Sequence, residues 1–298
     1  MTTYLPRIKT RLRIHAHRKV VGMLEGEYAS RQTGRSMDFN DLREYVRGDD
    51  VKDIDWKATA RSRQLLVKRF TAERQHLLLV AVSTGRSMAA QTTPSVDKRD
   101  LAVFVAGLVG WLAIRHGDKV AVAHGDATSQ QLHPAGDTEV ALEQGLAAIH
   151  DAITPEAGES DIVAVLRHLA KNVRRRAILL VVTDEHSIDD RLASVLRRLA
   201  VQHEVLLVTV DDLDPTRDLE PGRHRAAPVE IATSAQVPDW LRHDRRLAAE
   251  YAALTAAEDG DLRETLDRLG IAYERMNDDR TAIGAVFRLL ERHRHARR

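Results

Sequence analysis

The sequence contains no cysteine. Disulfides, thiolate zinc sites and thiol nucleophiles are removed in one step, and a reducing compartment fits. There is almost no excess charge. With 45 Lys and Arg against 44 Asp and Glu the formal net charge is +1, so the molecule as a whole is not built to hold a nucleic-acid backbone. No run of about 18 apolar residues occurs, so no segment is expected to span a bilayer. The first residues, MTTYLPRIKTRLRIHAHRK, carry charge but no apolar stretch of the secretory kind. A cytoplasmic protein is the resulting expectation. Repeats and low-complexity tracts are missing. So are the G-x-x-x-x-G-K-[ST] and G-x-G-x-x-G phosphate loops, the G-x-S-x-G elbow and the H-E-x-x-H zinc pair. Neither ATP nor NAD binding is supported. Ser83 and Ser87 do not read as nucleophiles, and the 14 histidines read as surface residues.

What is present is an ordinary globular composition, 43% apolar and 30% charged, over 298 residues, enough for one large domain or two small ones. From residue 77 the pattern is regular. Leu77 to Val82 is a wholly apolar strand, buried on both faces. Asp97 to His116 has helical spacing and closes on Gly117. Lys119 to His124 is a strand, and Gln130 to His133 a short edge strand. Asp137-Thr138 is expected to cap a helix through Ile149, and Ser160-Asp161 another through Lys171. Ala177 to Thr183 and Glu204 to Val210 are strands around a helix from Asp189 to Ala200. A further edge strand is expected at Pro228 to Ala232, then a helix from Pro238 to about Leu269 interrupted near Glu258-Asp259-Gly260. A last strand at Ile271 to Arg275 and a helix from Thr281 to His293 complete the chain. Strands alternating with helices of this length predict an α/β fold with a mostly parallel central sheet covered on both faces.

The first 75 residues read differently. Arg7, Lys9, Arg11, Arg13, Arg18 and Lys19, with no acid among them, predict a solvated basic helix. Residues 34–70 are dense in charge and predict loops and short strands. With the basic arm, this irregular segment makes up residues 1–75 and is expected to pack on the sheet of the α/β domain of residues 76–298. Asp49, Asp50, Asp53 and Asp55 lack the glycine and glutamate of an EF-hand loop. Pairing with Arg43, Lys57 and Arg61 is the expected role of these acids, with Trp56 as a packing anchor.

Two stretches carry a family resemblance. One is Asp38-Phe39-Asn40-Asp41-Leu42-Arg43-Glu44-Tyr45, then Gly48-Asp49-Asp50-Val51, Asp53-Ile54-Asp55-Trp56-Lys57 and Ala60-Arg61. The other is the strand and serine loop LLLVAVSTGRSM that follows. The chain resembles the domain-of-unknown-function 58 family, bacterial von Willebrand factor A-like proteins associated with MoxR-type AAA+ ATPases. Arg47 stands where that family usually has proline. The resemblance implies a von Willebrand factor A-like fold, a MoxR-type partner, and a metal-ion-dependent adhesion site of the pattern Asp-x-Ser-x-Ser. Here those positions read Ser83, Gly85 and Ser87, without the carboxylate. Thr138 and Asp184 are the residues that would match the remaining ligands. One carboxylate with hydroxyls is a poor Mg²⁺ site, so a decayed site is expected.

Function is therefore expected to be protein interaction, with an AAA+ ATPase as partner and assembly or activation of another complex as the outcome. The alternative is a metal-dependent hydrolase using Asp184 and the aspartates of the segment around Asp53.

Overall fold

A computed structural model describes residues 3–15, 38–46, 54–62, 64–71, 75–216, 229–231, 235–236, 238 and 244–295. Arg18, Lys19, Gly48, Asp49, Asp50, Asp53, Pro228 and Ala232, singled out above, lie outside them. The chain divides into two compact units, Met1–Ala29 with Leu77–Arg298, and Ser30–His76.

In the unit of residues 30–76, β1 (Asp38–Glu44) pairs antiparallel with β2 (Leu66–Thr71), and α2 (Trp56–Ser62) lies between them in sequence. Asp55 starts that helix by accepting from the Lys57 and Ala58 amides at 3.0 Å each, the usual role of an N-cap carboxylate. The expected short strands are thus present, and a seven-residue helix stands where loop was expected.

The larger unit holds a six-stranded sheet. Its strands are β3 (Leu77–Ser83), β6 (Lys119–Gly125), β7 (Gln130–Gly136), β8 (Ile178–Thr183), β9 (Glu204–Val210) and β10 (Ala272–Met276), in the order β10-β9-β8-β3-β6-β7. All neighbours run parallel except β7, which returns antiparallel along β6 as the edge strand. A small hairpin of β4 (Gln91–Thr93) and β5 (Val96–Asp97) precedes α3 (Lys98–Arg115).

Alternation along each strand splits the core in two. Leu78, Val80 and Val82 face one cluster with α3, α4 (Glu139–Ala152) and α8 (Asp279–His295). Leu77, Leu79 and Ala81 face the other with α5 (Ile162–Asn172), α6 (Asp190–Gln202) and α7 (Arg245–Arg268). This is the α/β sheet with helices on both faces that the apolar runs predict. Truncating a central residue such as Leu79 to alanine is worth about 2–5 kcal/mol by analogy with other cores.

Four local features depart from expectation. The N-terminal helix α1 (Leu5–His15) is not simply solvated, because Leu5, Ile8 and Leu12 are buried in the first cluster. Its unpaired first amides at Tyr4 and Leu5 donate to the Glu143 carboxylate of α4. The edge strand β7 runs three residues past His133. At 258–260 α7 continues unbroken, since one glycine in a long helix costs only about 1 kcal/mol. Of the expected strand near residue 230 the described part is a single bridge between Val229 and Gln236. Gly117 closes α3 as expected, in the left-handed region at φ +80°.

Candidate functional site

In an open parallel sheet the carboxyl ends of the strands hold the ligand-facing loops. Val82 pairs in register with Val182 and Thr183 with Thr209, so β3, β8 and β9 end level. Ser83, Asp184 and the pair Asp211–Asp212 therefore leave the sheet at the same rim.

The loop after β3 is held down by the segment before α5. Arg86 N donates to Gly158 O at 2.9 Å, and the Ser87 and Ser160 hydroxyls lie 2.5 Å apart. Gly85 is required by this approach, because a Cβ there would stand 2.4 Å from the Ser160 backbone. Gly158 is seated by Asp126, whose carboxylate accepts from the Thr128, Ser129 and Gly158 amides. Burial alone would raise the Asp126 pKa, but the hydroxyl of Thr128 and those amides outweigh it and hold the group ionised below the usual range. Ser83 is fully buried, and its Oγ makes no hydrogen bond to the protein.

The β4–β5 hairpin turns the start of α3 toward the same rim. Lys98 N donates to Ala90 O at 3.0 Å, and Leu213 N, just past β9, donates to Gln91 O at 2.9 Å. Lys98 is the first residue of α3 and has no exposed surface. Its ammonium lies 3.3 Å from Asp184 Oδ2 and in contact with Asp212 Oδ1. A cation at the positive end of a helix and out of water is doubly unfavourable, and the two carboxylates are what offset it. Asp184 Oδ1 is buried and receives no hydrogen bond from the protein. His186 Nε2 approaches Asp212 Oδ2 to 3.7 Å. Asp212 stays ionised below the usual range: burial pushes it upward, but His186 and Lys98 together prevail. Glu185 moves the other way, raised by burial although Ile162 N donates to it at 3.0 Å.

Beside this network a cleft of about 600 Å³ opens past β9 and β10, lined by Thr92, Asp211, Asp212, Tyr251, Arg275 and Asn277 among others. Arg275 pairs with Asp211 on its wall. Burial still raises the Asp211 pKa against that pairing.

Thus Ser83, Ser87 and Asp184 share the carboxyl rim, and Thr138 does not. Gly136 pairs with Val120 at the amino end of β6, so antiparallel β7 has carried the chain to the opposite end before Thr138. There Thr138 caps α4 by accepting from Ala141 N at 3.2 Å. The hydroxyl that does meet Ser87 belongs to Ser160, and the charges that meet Asp184 come from Lys98 and, through it, Asp212. Asp212 was open to the same strand-end rule that selected Asp184. Lys98 stands among charged neighbours, Asp97, Arg99 and Asp100, and nothing in that run sets it apart. The residues present do not fit Mg²⁺. The ion needs negative oxygen ligands in near-octahedral order, and the single acid at the strand-end pattern is already paired with an ammonium. Among the described residues no group of three or more His, Asp or Glu could hold a metal.

In the unit of residues 30–76 the expected packing anchor is exposed: Trp56 keeps 64% of its surface in water. Val46 at 60% and Leu65 at 47% are exposed as well. Tyr45 N donates to Leu65 O and Asp55 N to Leu66 O, each at 2.8 Å, so all three sit at one end of the β1–β2 ladder. Tyr45 is half-buried, and Lys57 and Arg61 are exposed on α2. Asp38 and Arg43 lie in β1, opposite Thr71 and Val67.

No described helix is long and apolar enough to cross a membrane. Similar chains include the uncharacterized proteins Rv1480 of Mycobacterium tuberculosis and Mb1516 of Mycobacterium bovis. Each is 26% identical over 280 residues, covering 94% of this chain and 86% of the relative. Among solved structures, an aerotolerance-related membrane protein from Bacteroides fragilis aligns with 14% identity and a TM-score of 0.42, over 72% of this chain and 98% of that one. A von Willebrand factor type A protein from Catenulispora acidiphila aligns with 14% identity and a TM-score of 0.38, over 74% of this chain and 43% of that one. The family described as protein of unknown function DUF58 matches residues 41–271, from the β1 segment through the last α/β crossover, and the chain belongs to that family.

Proposed function

We propose that the chain is a non-catalytic interaction module of the von Willebrand factor A-like kind, and that its partner is a MoxR-type AAA+ ATPase acting in the assembly or activation of another complex. The observation that carries this reading is Trp56, 64% exposed at the start of α2 with Val46 and Leu65 exposed at the same end of the ladder. Single exposed apolar residues are ordinary, but an exposed tryptophan with two exposed apolar residues at the same end of the ladder suits an interface, where tryptophan is the enriched anchor. The MoxR-type partner is supported by family membership and by the segment that carries Trp56, which is the most family-specific part of the sequence. Two of the acids that hydrolysis would call on, among the described residues, support the same preference. Asp184 is tied to Lys98, and Asp55 is spent on capping α2.

The test is the affinity of the purified chain for a MoxR-type ATPase encoded in the same genome, with ATP and Mg²⁺ supplied for the ATPase. Trp56→Ala is expected to weaken binding by about 30-fold or more, the range of a hot-spot tryptophan, with an unchanged circular dichroism spectrum. An unchanged Kd in Trp56→Ala and in Val46→Ser/Leu65→Ser would remove this surface from the reading.

A further inference from the structure

We infer that Lys98 is a built-in cation, and that the carboxyl rim of the sheet is set electrostatically by this ammonium in place of a divalent metal. The inference concerns the rim alone and holds whichever partner the protein takes.

Position is the first argument. Lys98 Nζ is 3.3 Å from the one acid that the strand-end pattern retains, Asp184, and it also touches Asp212 from the next loop. A metal bound to Asp184 would share that buried carboxylate with the ammonium, and two cations would meet on one acid. The second argument is the ligand set. Where the pattern would put a carboxylate stands Ser83, buried and with an unpaired hydroxyl. Ser87 and Ser160 satisfy each other at 2.5 Å. The rim thus has one negative ligand fewer than the metal pattern and carries a tethered positive charge against the acid that remains. The third argument is cost. A fully buried lysine at the first position of an 18-residue helix opposes both solvation and the helix dipole. Such a residue is tolerated where its charge is matched, and here two carboxylates match it.

The rim should therefore be indifferent to chelators, and removal of the ammonium should uncover a latent cation site made of Asp184 and Asp212. The test uses the full chain as wild type, Asp184→Asn, Lys98→Met, Lys98→Gln and Lys98→Met/Asp184→Asn. Mn²⁺ binding is read by calorimetry, and Tm is read in EDTA and in millimolar Mn²⁺. The wild type is expected to bind no Mn²⁺ at about 1 mM, the weak end of oxygen-ligand sites, and to melt at the same temperature in both buffers. Lys98→Met and Lys98→Gln are expected to gain Mn²⁺ binding with a Tm rise of about 5 °C, lost in the double variant. A lysine variant unfolded in EDTA but folded by Mn²⁺ gives the same answer. Wild-type Mn²⁺ binding that Asp184→Asn abolishes would overturn the inference. So would lysine variants that gain no Mn²⁺ affinity, folded or not.

Discussion

Trp56, in the unit of residues 30–76, keeps 64% of its surface in water, whereas Lys98, in the sheet unit, keeps none. An aromatic in solvent and an ammonium in the interior both run against the usual partition of side chains. They do so for different reasons. Among the described residues the smaller unit has a two-stranded ladder and one short helix, with Ile54 and Val67 buried and Trp56 left in water. The sheet unit could easily bury an apolar residue at the start of α3, and it buries a charge there. Exposure of Trp56 is what the proposed interface rests on, and burial of Lys98 bears on the charge balance of the rim. Local rules tend to fail where a protein does its work, and these two failures mark the two regions worth perturbing.

The largest effect is expected from breaking the buried pair. Lys98→Met leaves Asp184 beside Asp212 with no cation between them. A destabilisation of about 3–5 kcal/mol is expected in chelator-containing buffer, read from urea unfolding at neutral pH. Lys98→Met/Asp184→Asn should recover part of that loss. If the double variant were less stable than Lys98→Met, packing of the lysine stem and not its charge would explain the burial.

A second buried base sharpens the contrast. His124 is 4% exposed on β6, its Nε2 lies 3.2 Å from Nε2 of His133, and no carboxylate faces it in that pair. Burial first, and the neighbouring His133 second, push its pKa from 6.5 down to about 4. The folded protein thus holds His124 neutral where the unfolded chain would protonate it. Above pH 6.5 the group contributes no pH dependence. As pH falls from 6.5 toward 4 the unfolded state takes up the proton, and stability declines by up to about 3 kcal/mol. His124→Gln is expected to flatten the stability profile across that window, measured as urea midpoints at pH 7, 6, 5 and 4.5. A parallel profile in the variant would mean that other groups set the acid limit. Lys98 has two carboxylates at hand, whereas the group facing His124 is a second imidazole.

Much of this architecture was readable in the residues, and the exceptions share a cause. Leu77–Ser83 and Ile178–Thr183 announce buried parallel strands because nothing in them can face water. Asp161 and Asp189 announce helix starts because a carboxylate at that position has amides to accept from. The misplacement of Thr138 arose from direction, which period and capping do not encode: only the antiparallel pairing of β7 sends it to the far end of the sheet. Lys98 was hidden for a related reason. Its distance from Asp184 is 86 residues in sequence, and the β4–β5 hairpin that brings the two together is only five residues of strand. The short α2 was missed because WKATARS has no apolar stripe, and its helix rests on the Asp55 cap.

The smallest stability effect should come from the residue with the largest expected effect on binding. Trp56→Ala removes an exposed side chain, so the unfolding free energy should stay within about 0.5 kcal/mol of wild type. Leu79→Ala, which opens a cavity in the second core cluster, should cost several-fold more. Affinity for the ATPase should rank the two variants in the opposite order once each is confirmed folded. That inversion is what separates an interface residue from a packing anchor. If Trp56→Ala instead lowered stability as much as Leu79→Ala, the indole would be packed in solution. The contrast with Lys98 would then collapse to a single anomaly, the buried ammonium, and the binding surface would have to be sought along the carboxyl rim.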